Sequence, residues 1–155
     1  TTAAGFCRSI FPADAVSAAN LGIPLPAAWA TTGTVLTAEF IMTFLLMTSI
    51  FGTAVDDRGR AVKIGGFGIG LTVAFDILCG GPVTGASMNP ARSFGPDLVR
   101  LDFANYWLYL AGPLAGAAVA TALAWVLRGR GDAVVAAQGL LGLKAAERLR
   151  SRGER

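Results

Sequence analysis

Histidine is absent from this 155-residue chain, and cysteine occurs twice, at Cys7 and Cys79. Without an imidazole, neither a Ser-His or Cys-His catalytic pair nor a His-containing zinc site can be assembled. The two cysteines are isolated and lack ligand spacing, so they read as small apolar side chains, and no cofactor or metal is expected. Charge is scarce too: Asp, Glu, Lys and Arg make up 15% of the residues against 54% hydrophobic, and the mean hydropathy is +0.57. An ordinary soluble domain of this size carries more charge, and the starting class is a membrane protein. The net charge of +3 does not mark a nucleic-acid-binding face, because seven of the thirteen basic residues lie beyond Trp125. A starting methionine and a signal-peptide pattern are also missing. Residues 1–11 supply about one third of the roughly 20 apolar residues that a bilayer crossing needs. They read as the remnant of a transmembrane span, and the chain is expected to begin part-way through a longer protein.

What the chain does have is apolar length. Residues 12–32 carry three prolines, an Asn-Leu-Gly and Asp14, and read as an irregular loop on one side of the membrane. Residues 33–55 form a long apolar run interrupted by one charge, Glu39. At 1.5 Å per residue this run reaches roughly 30 Å or a little more, the length of a transmembrane helix. A charged turn follows at Asp56–Arg60. Residues 64–81 are a second, glycine-rich span broken by Asp76, in which Gly66-x3-Gly70 would clear a face for close helix contact. Residues 82–99 are too short and too broken to cross. Residues 106–127 are a third span with Gly112-x3-Gly116 on one face, and with Tyr106, Trp107 and Trp125 near its ends, where an aromatic belt would sit. Residues 128–155 turn to arginine, glycine and alanine and read as a basic, solvated tail. The positive-inside bias puts Arg58, Arg60, Lys63 and this tail in the cytoplasm, which makes 12–32 an extracellular loop and lets 82–99 enter from outside.

The stretch that carries chemistry is Gly85-Ala86-Ser87-Met88-Asn89-Pro90-Ala91-Arg92-Ser93-Phe94-Gly95-Pro96. Irregular backbone at membrane depth must be enclosed by protein or line water, so this run reads as a re-entrant loop. Pro90 suits the first turn of a helix, where its missing N–H costs nothing, and this makes Asn89 the N-cap. The nine residues from Pro90 to Leu98 give a half-helix of about 14 Å. Its positive dipole end then lies at mid-depth with Arg92 one turn on, an arrangement that repels cations. The carbonyls of Gly85, Ala86, Ser87 and Met88 offer a row of acceptors while Asn89 and Arg92 offer donors. Such a lining passes water along a column and opposes protons and ions. Glu39 in mid-span is expensive to bury; its expected role is structural, accepting amides of the re-entrant loop. Asp76 reads either as the partner of a neighbouring helix or loop amide or as a pore-lining group.

The run GASMNPARSFGP resembles the second Asn-Pro-Ala signature of the aquaporin (major intrinsic protein) channels. TAEFIMTFLL, with Glu39, looks like the fourth span of that family and YWLYLAGPLAGA like its sixth. The resemblance implies an all-α membrane fold in which two inverted repeats, each of three helices and a half-helix, meet at the membrane centre. Here the second repeat alone is represented, so the expected form is three transmembrane helices plus one re-entrant half-helix. It also implies that Asn89, Pro90 and Ala91 form the pore motif, and that Ile77, Ala86 and Arg92 belong to the selectivity filter. Ser93 and Tyr109 match water-type members, Leu110 leans towards glycerol facilitators, and Asp97 matches neither pattern. The implied function is passive permeation of water, with ammonia or other small neutral solutes, in the plasma membrane as a homotetramer of the complete protein. The tail points to a bacterial member. The alternatives are a non-conducting truncated membrane module and a glycerol-facilitator-type half.

Overall fold

The computed structural model describes residues 2–18, 22–55 and 65–128. The basic tail, the charged turn and part of the early loop lie outside these, as do the expectations attached to them. Within the described residues every regular element is helical. They are α1 (Thr2–Ile10), α2 (Ala13–Ala18), α3 (Thr32–Ile50, continued by a π-helical turn Phe51–Val55), α4 (Gly65–Thr84), α5 (Pro90–Arg100) and α6 (Tyr106–Arg128). Three stretches are long and apolar enough to cross a bilayer: Thr32–Val55, Gly66–Thr84 and Tyr106–Leu127. The chain divides into two units, Thr1–Thr121 and Ala122–Arg155. The first holds everything that concerns the site; of the second, the last turns of α6 are described.

Helix ends follow from local chemistry. Thr31 caps α3, its hydroxyl accepting from Thr34 N at 3.2 Å. The second span runs on to Thr84, three residues past the end expected at Gly81. Pro82 lies inside the helix, and the turn around it still closes, with Gly85 N donating to Gly81 O at 2.9 Å. A helix that loses one N–H to proline but keeps the bonds on either side has no reason to stop there. The half-helix α5 ends at Leu101, which takes a left-handed conformation (φ 57°) and donates its N–H to Asp97 O.

Glycines fix how the spans meet. A Cβ on Gly112 would lie 2.9 Å from Glu39 Cβ and 3.1 Å from Leu36 O, and one on Gly116 would meet the Phe40 carbonyl. Both positions advance together along α3 and α6, so these helices run parallel in close backbone contact. Gly80 of α4 faces the Met42 side chain, while Gly68 lies near Thr53. Here one number rises as the other falls, and α3 and α4 are antiparallel. Gly66 and Gly70, expected to make the close contact of α4, meet nothing within 4 Å; Gly80 does that work. The buried apolar groups are small: Val35, Leu108 and Tyr109 in one cluster, Met42, Ala86 and Met88 in another. At the far end of α5, Phe94, Phe103 and Tyr106 pack as a triangle of rings with centroids 5.8–6.0 Å apart, tying the half-helix to the start of α6.

Candidate functional site

Between the end of α4 and the start of α5 the backbone runs five residues without helix, and three of them, Gly85 (φ 80°), Ala86 (φ 46°) and Met88 (φ 52°), sit at positive φ. Glycine takes this region freely; alanine and methionine do so at a cost and need to be held there. A Cβ on Gly85 would lie 2.7 Å from Pro24 Cα, so this turn also leaves no room for a side chain.

The holding group is Glu39, fully buried in α3. Its Oε1 accepts from the Thr84 hydroxyl at 2.7 Å and from Ser87 N at 2.9 Å, and its Oε2 accepts from Met88 N at 2.8 Å. The Thr84 oxygen accepts from Ala86 N at 3.0 Å, and the Thr84 carbonyl takes the Tyr109 hydroxyl at 2.7 Å. Three successive amides, those of Ala86, Ser87 and Met88, are thereby satisfied from one side by a carboxylate and the hydroxyl bound to it. Charge-assisted bonds of this kind are about twice as strong as neutral ones, and they compensate a carboxylate that would otherwise be costly to bury.

On the other side stands Arg92. Its Nη1 donates to Ala86 O at 2.8 Å and to Gly85 O at 3.4 Å, so the guanidinium spans the first carbonyls of the loop from one turn into α5. Asn89 is the N-cap: its Oδ1 accepts from Ala91 N at 2.9 Å and Arg92 N at 3.4 Å. Those bonds fix which way the amide is turned and leave Nδ2 as a donor with no partner among the described residues. Ser87 and Ser93 are both buried with their hydroxyls 2.6 Å apart, and Ser87 also donates to Asn89 O at 3.0 Å, which locks the loop to the first turn of the half-helix.

Of the residues read from sequence as filter or motif, Ile77 is 46% exposed, and Asn89, Ala91 and Arg92 are exposed as well. Ala86 is not: it is wholly buried, with its carbonyl engaged by Arg92. Ser87 and Met88 are buried too, and Gly85 and Pro90 are partly so. Sequence reading passed over Thr84, whose hydroxyl joins Glu39 to the loop. A lone hydroxyl residue at the apolar end of a span, directly before a glycine-led run, was the available signal. Asp76 is buried, and neither its Oδ2 nor the Thr43 hydroxyl has a hydrogen-bond partner. The contacts Thr84 to Glu39, Gly80 to Met42 and Gly68 to Thr53 set the α3/α4 register.

No group of three His, Cys, Asp or Glu gathers among the described residues. The site holds no activated nucleophile and no acid–base pair. It offers fixed donors, Asn89 Nδ2 and the free N–H groups of Arg92, at the positive end of a short helix, a geometry that binds a neutral solute's oxygen and disfavours a cation.

The family model described as Major intrinsic protein matches residues 1–125. Aquaporin TIP4-4 of Zea mays is 41% identical over 107 residues, covering 68% of this chain and 42% of the relative. Probable aquaporin TIP3-2 of Oryza sativa subsp. japonica is 48% identical over 88 residues, 57% of this chain and 33% of its own. Nodulin-26 of Glycine max is 50% identical over 88 residues, 57% and 31% respectively. The chain thus spans less than half the length of each of these plant relatives.

Proposed function

The chain belongs to the major intrinsic protein family, and from that we propose that it supplies one half of a passive transmembrane channel for water, with ammonia or other small neutral solutes as further permeants. The observation that carries this reading is the Asn89-capped half-helix whose Arg92 grips the Gly85 and Ala86 carbonyls while Glu39 holds the amides behind them. Donors fixed in this way exchange hydrogen bonds with a passing water without reorganising, and their positive field raises the barrier for protons and cations. Ile77, Ala86 and Arg92 contribute this half of the filter, Ile77 as an apolar wall and Ala86 through its backbone. Ser93, buried 2.6 Å from the Ser87 hydroxyl, supports water over glycerol-type permeation through its match to water-type members of the family. The complete protein works as a homotetramer in the plasma membrane with its C-terminus in the cytoplasm, without cofactor or catalysis.

The test joins this chain to a matching N-terminal half in proteoliposomes and follows light scattering after an osmotic step. Water flow well above that of empty liposomes is expected, and Asn89→Ala or Arg92→Ala is expected to alter it. Flow indifferent to both substitutions sinks the roles given to these residues. A second reading, a membrane module that does not conduct by itself, draws on the exposure of Ile77, Asn89 and Arg92 in this chain. Permeability of the chain alone no greater than that of empty liposomes supports it.

A further inference from the structure

The outer end of the half-helix is charged the wrong way. A helix C-terminus carries partial negative charge and favours cationic side chains in its last turn, yet Asp97 lies in the last turn of α5 and Asp102 directly follows it. The one basic residue of that turn, Arg100, lines a different cavity together with Arg8 and Phe11. Asp97 is 4% exposed, and its carboxylate accepts no hydrogen bond among the described residues; its main-chain carbonyl alone is used, by Leu101 N and by Asp102 N at 3.1 Å.

Both carboxylates, Asn105, Tyr106 and Tyr109 line one small cavity of about 10 Å³, closed on another side by Ile23–Leu25. That is room for one water-sized species. The side chains offer hard oxygens, two carboxylates and the Asn105 amide. Asp102 is held in place by Ala104 N, which donates to its Oδ1 at 3.3 Å, and keeps its second oxygen free. Two formal negative charges suit a divalent ion. Among the common ones, Ca²⁺ accepts irregular oxygen sets at 2.3–2.6 Å and completes them with water, whereas Mg²⁺ insists on near-ideal octahedral geometry.

We propose that this cavity is a calcium site, with Asp97 and Asp102 as its anionic ligands and Asn105 as a neutral one. Occupancy neutralises the buried carboxylate, opposes the negative end of α5 and pins the half-helix to the start of α6. The inference does not depend on what the channel conducts.

The test uses the chain purified in detergent. Thermal unfolding is followed in CaCl₂ and in NaCl or MgCl₂ of matched ionic strength, and Tb³⁺ is added as a luminescent calcium substitute, excited through Tyr106 and Tyr109, the two tyrosines of the chain. Calcium is expected to raise the unfolding midpoint by several degrees, and Tb³⁺ emission should appear and be displaced by Ca²⁺. Both responses should vanish in Asp97→Asn, whose midpoint in NaCl should be unchanged or higher because an unpaired buried charge is gone. Asp102→Asn, at an exposed position, gives the same reading should the first variant fail to fold. Equal midpoints in all salts, an equal rise with Mg²⁺ or Na⁺, or calcium responses that survive both substitutions would overturn the proposal.

Discussion

Glu39 is the residue on which the loop geometry turns, because one side chain accepts from two loop amides and from the Thr84 hydroxyl. Glu39→Gln keeps one acceptor oxygen but turns an NH₂ towards groups that are themselves donors. Two charge-assisted bonds are then lost or reversed, and the variant is expected to be less stable by on the order of 3 kcal/mol, read as a drop in the unfolding midpoint in detergent. Thr43 gives the opposite case. Its buried hydroxyl has no hydrogen-bond partner, so Thr43→Val, of nearly the same shape, should stabilise by about 1 kcal/mol, and a fall in midpoint would show that a water bonds this hydroxyl. Asp76→Asn is expected to act in the same direction, since it removes a charge from a buried oxygen that has no hydrogen-bond partner.

At the scale of elements, the three spans and the half-helix could be read directly from apolar length, from the Asn-Pro start and from glycine spacing. These signals are local: a run of some twenty apolar residues means the same thing wherever it is packed. Long-range choices were less legible. Gly66-x3-Gly70 and Gly112-x3-Gly116 look alike in sequence, yet the second alone meets a helix backbone in the described residues, since spacing shows that a face is clear without showing what will occupy it. The burial of Ala86 is of the same kind, since it packs with Met42 of a distant span. Thr84 escaped notice because its importance lies in a contact 45 residues away. The contrast between the glycine pairs predicts that Gly116→Leu, which would drive a side chain into the Phe40 carbonyl, separates α3 from α6 and costs 1–3 kcal/mol or more, about what overpacking a core costs. Gly70→Ala should leave stability unchanged or slightly raised, as expected for a helical glycine in open space. Thermal unfolding of both variants in one detergent checks the pair.

For the molecule as a whole, what is left uncovered is as informative as what is packed. Ile77, Asn89 and Arg92 are exposed, while the machinery that fixes the loop, Glu39, Thr84, Ser87, Ser93 and Tyr109, is buried within the chain itself. The loop is therefore finished before any further polypeptide is added. Cysteine placed at Asn89 should react with a water-soluble thiol reagent in the chain alone and be slowed several-fold once a complementary half is present. Equal reactivity in both states would mean that this face stays open.

The bond between Glu39 and the loop also sets a timetable. On a ribosome α3 emerges first, and its carboxylate has to enter the bilayer with its acceptors empty until Thr84, Ser87 and Met88 are made, 45 to 49 residues later. Until that moment α3 is a reluctant membrane segment, and the strained loop has nothing to grip. Carboxylate and loop become stable together, so entry of the half-helix is the step that commits the earlier helix to stay there.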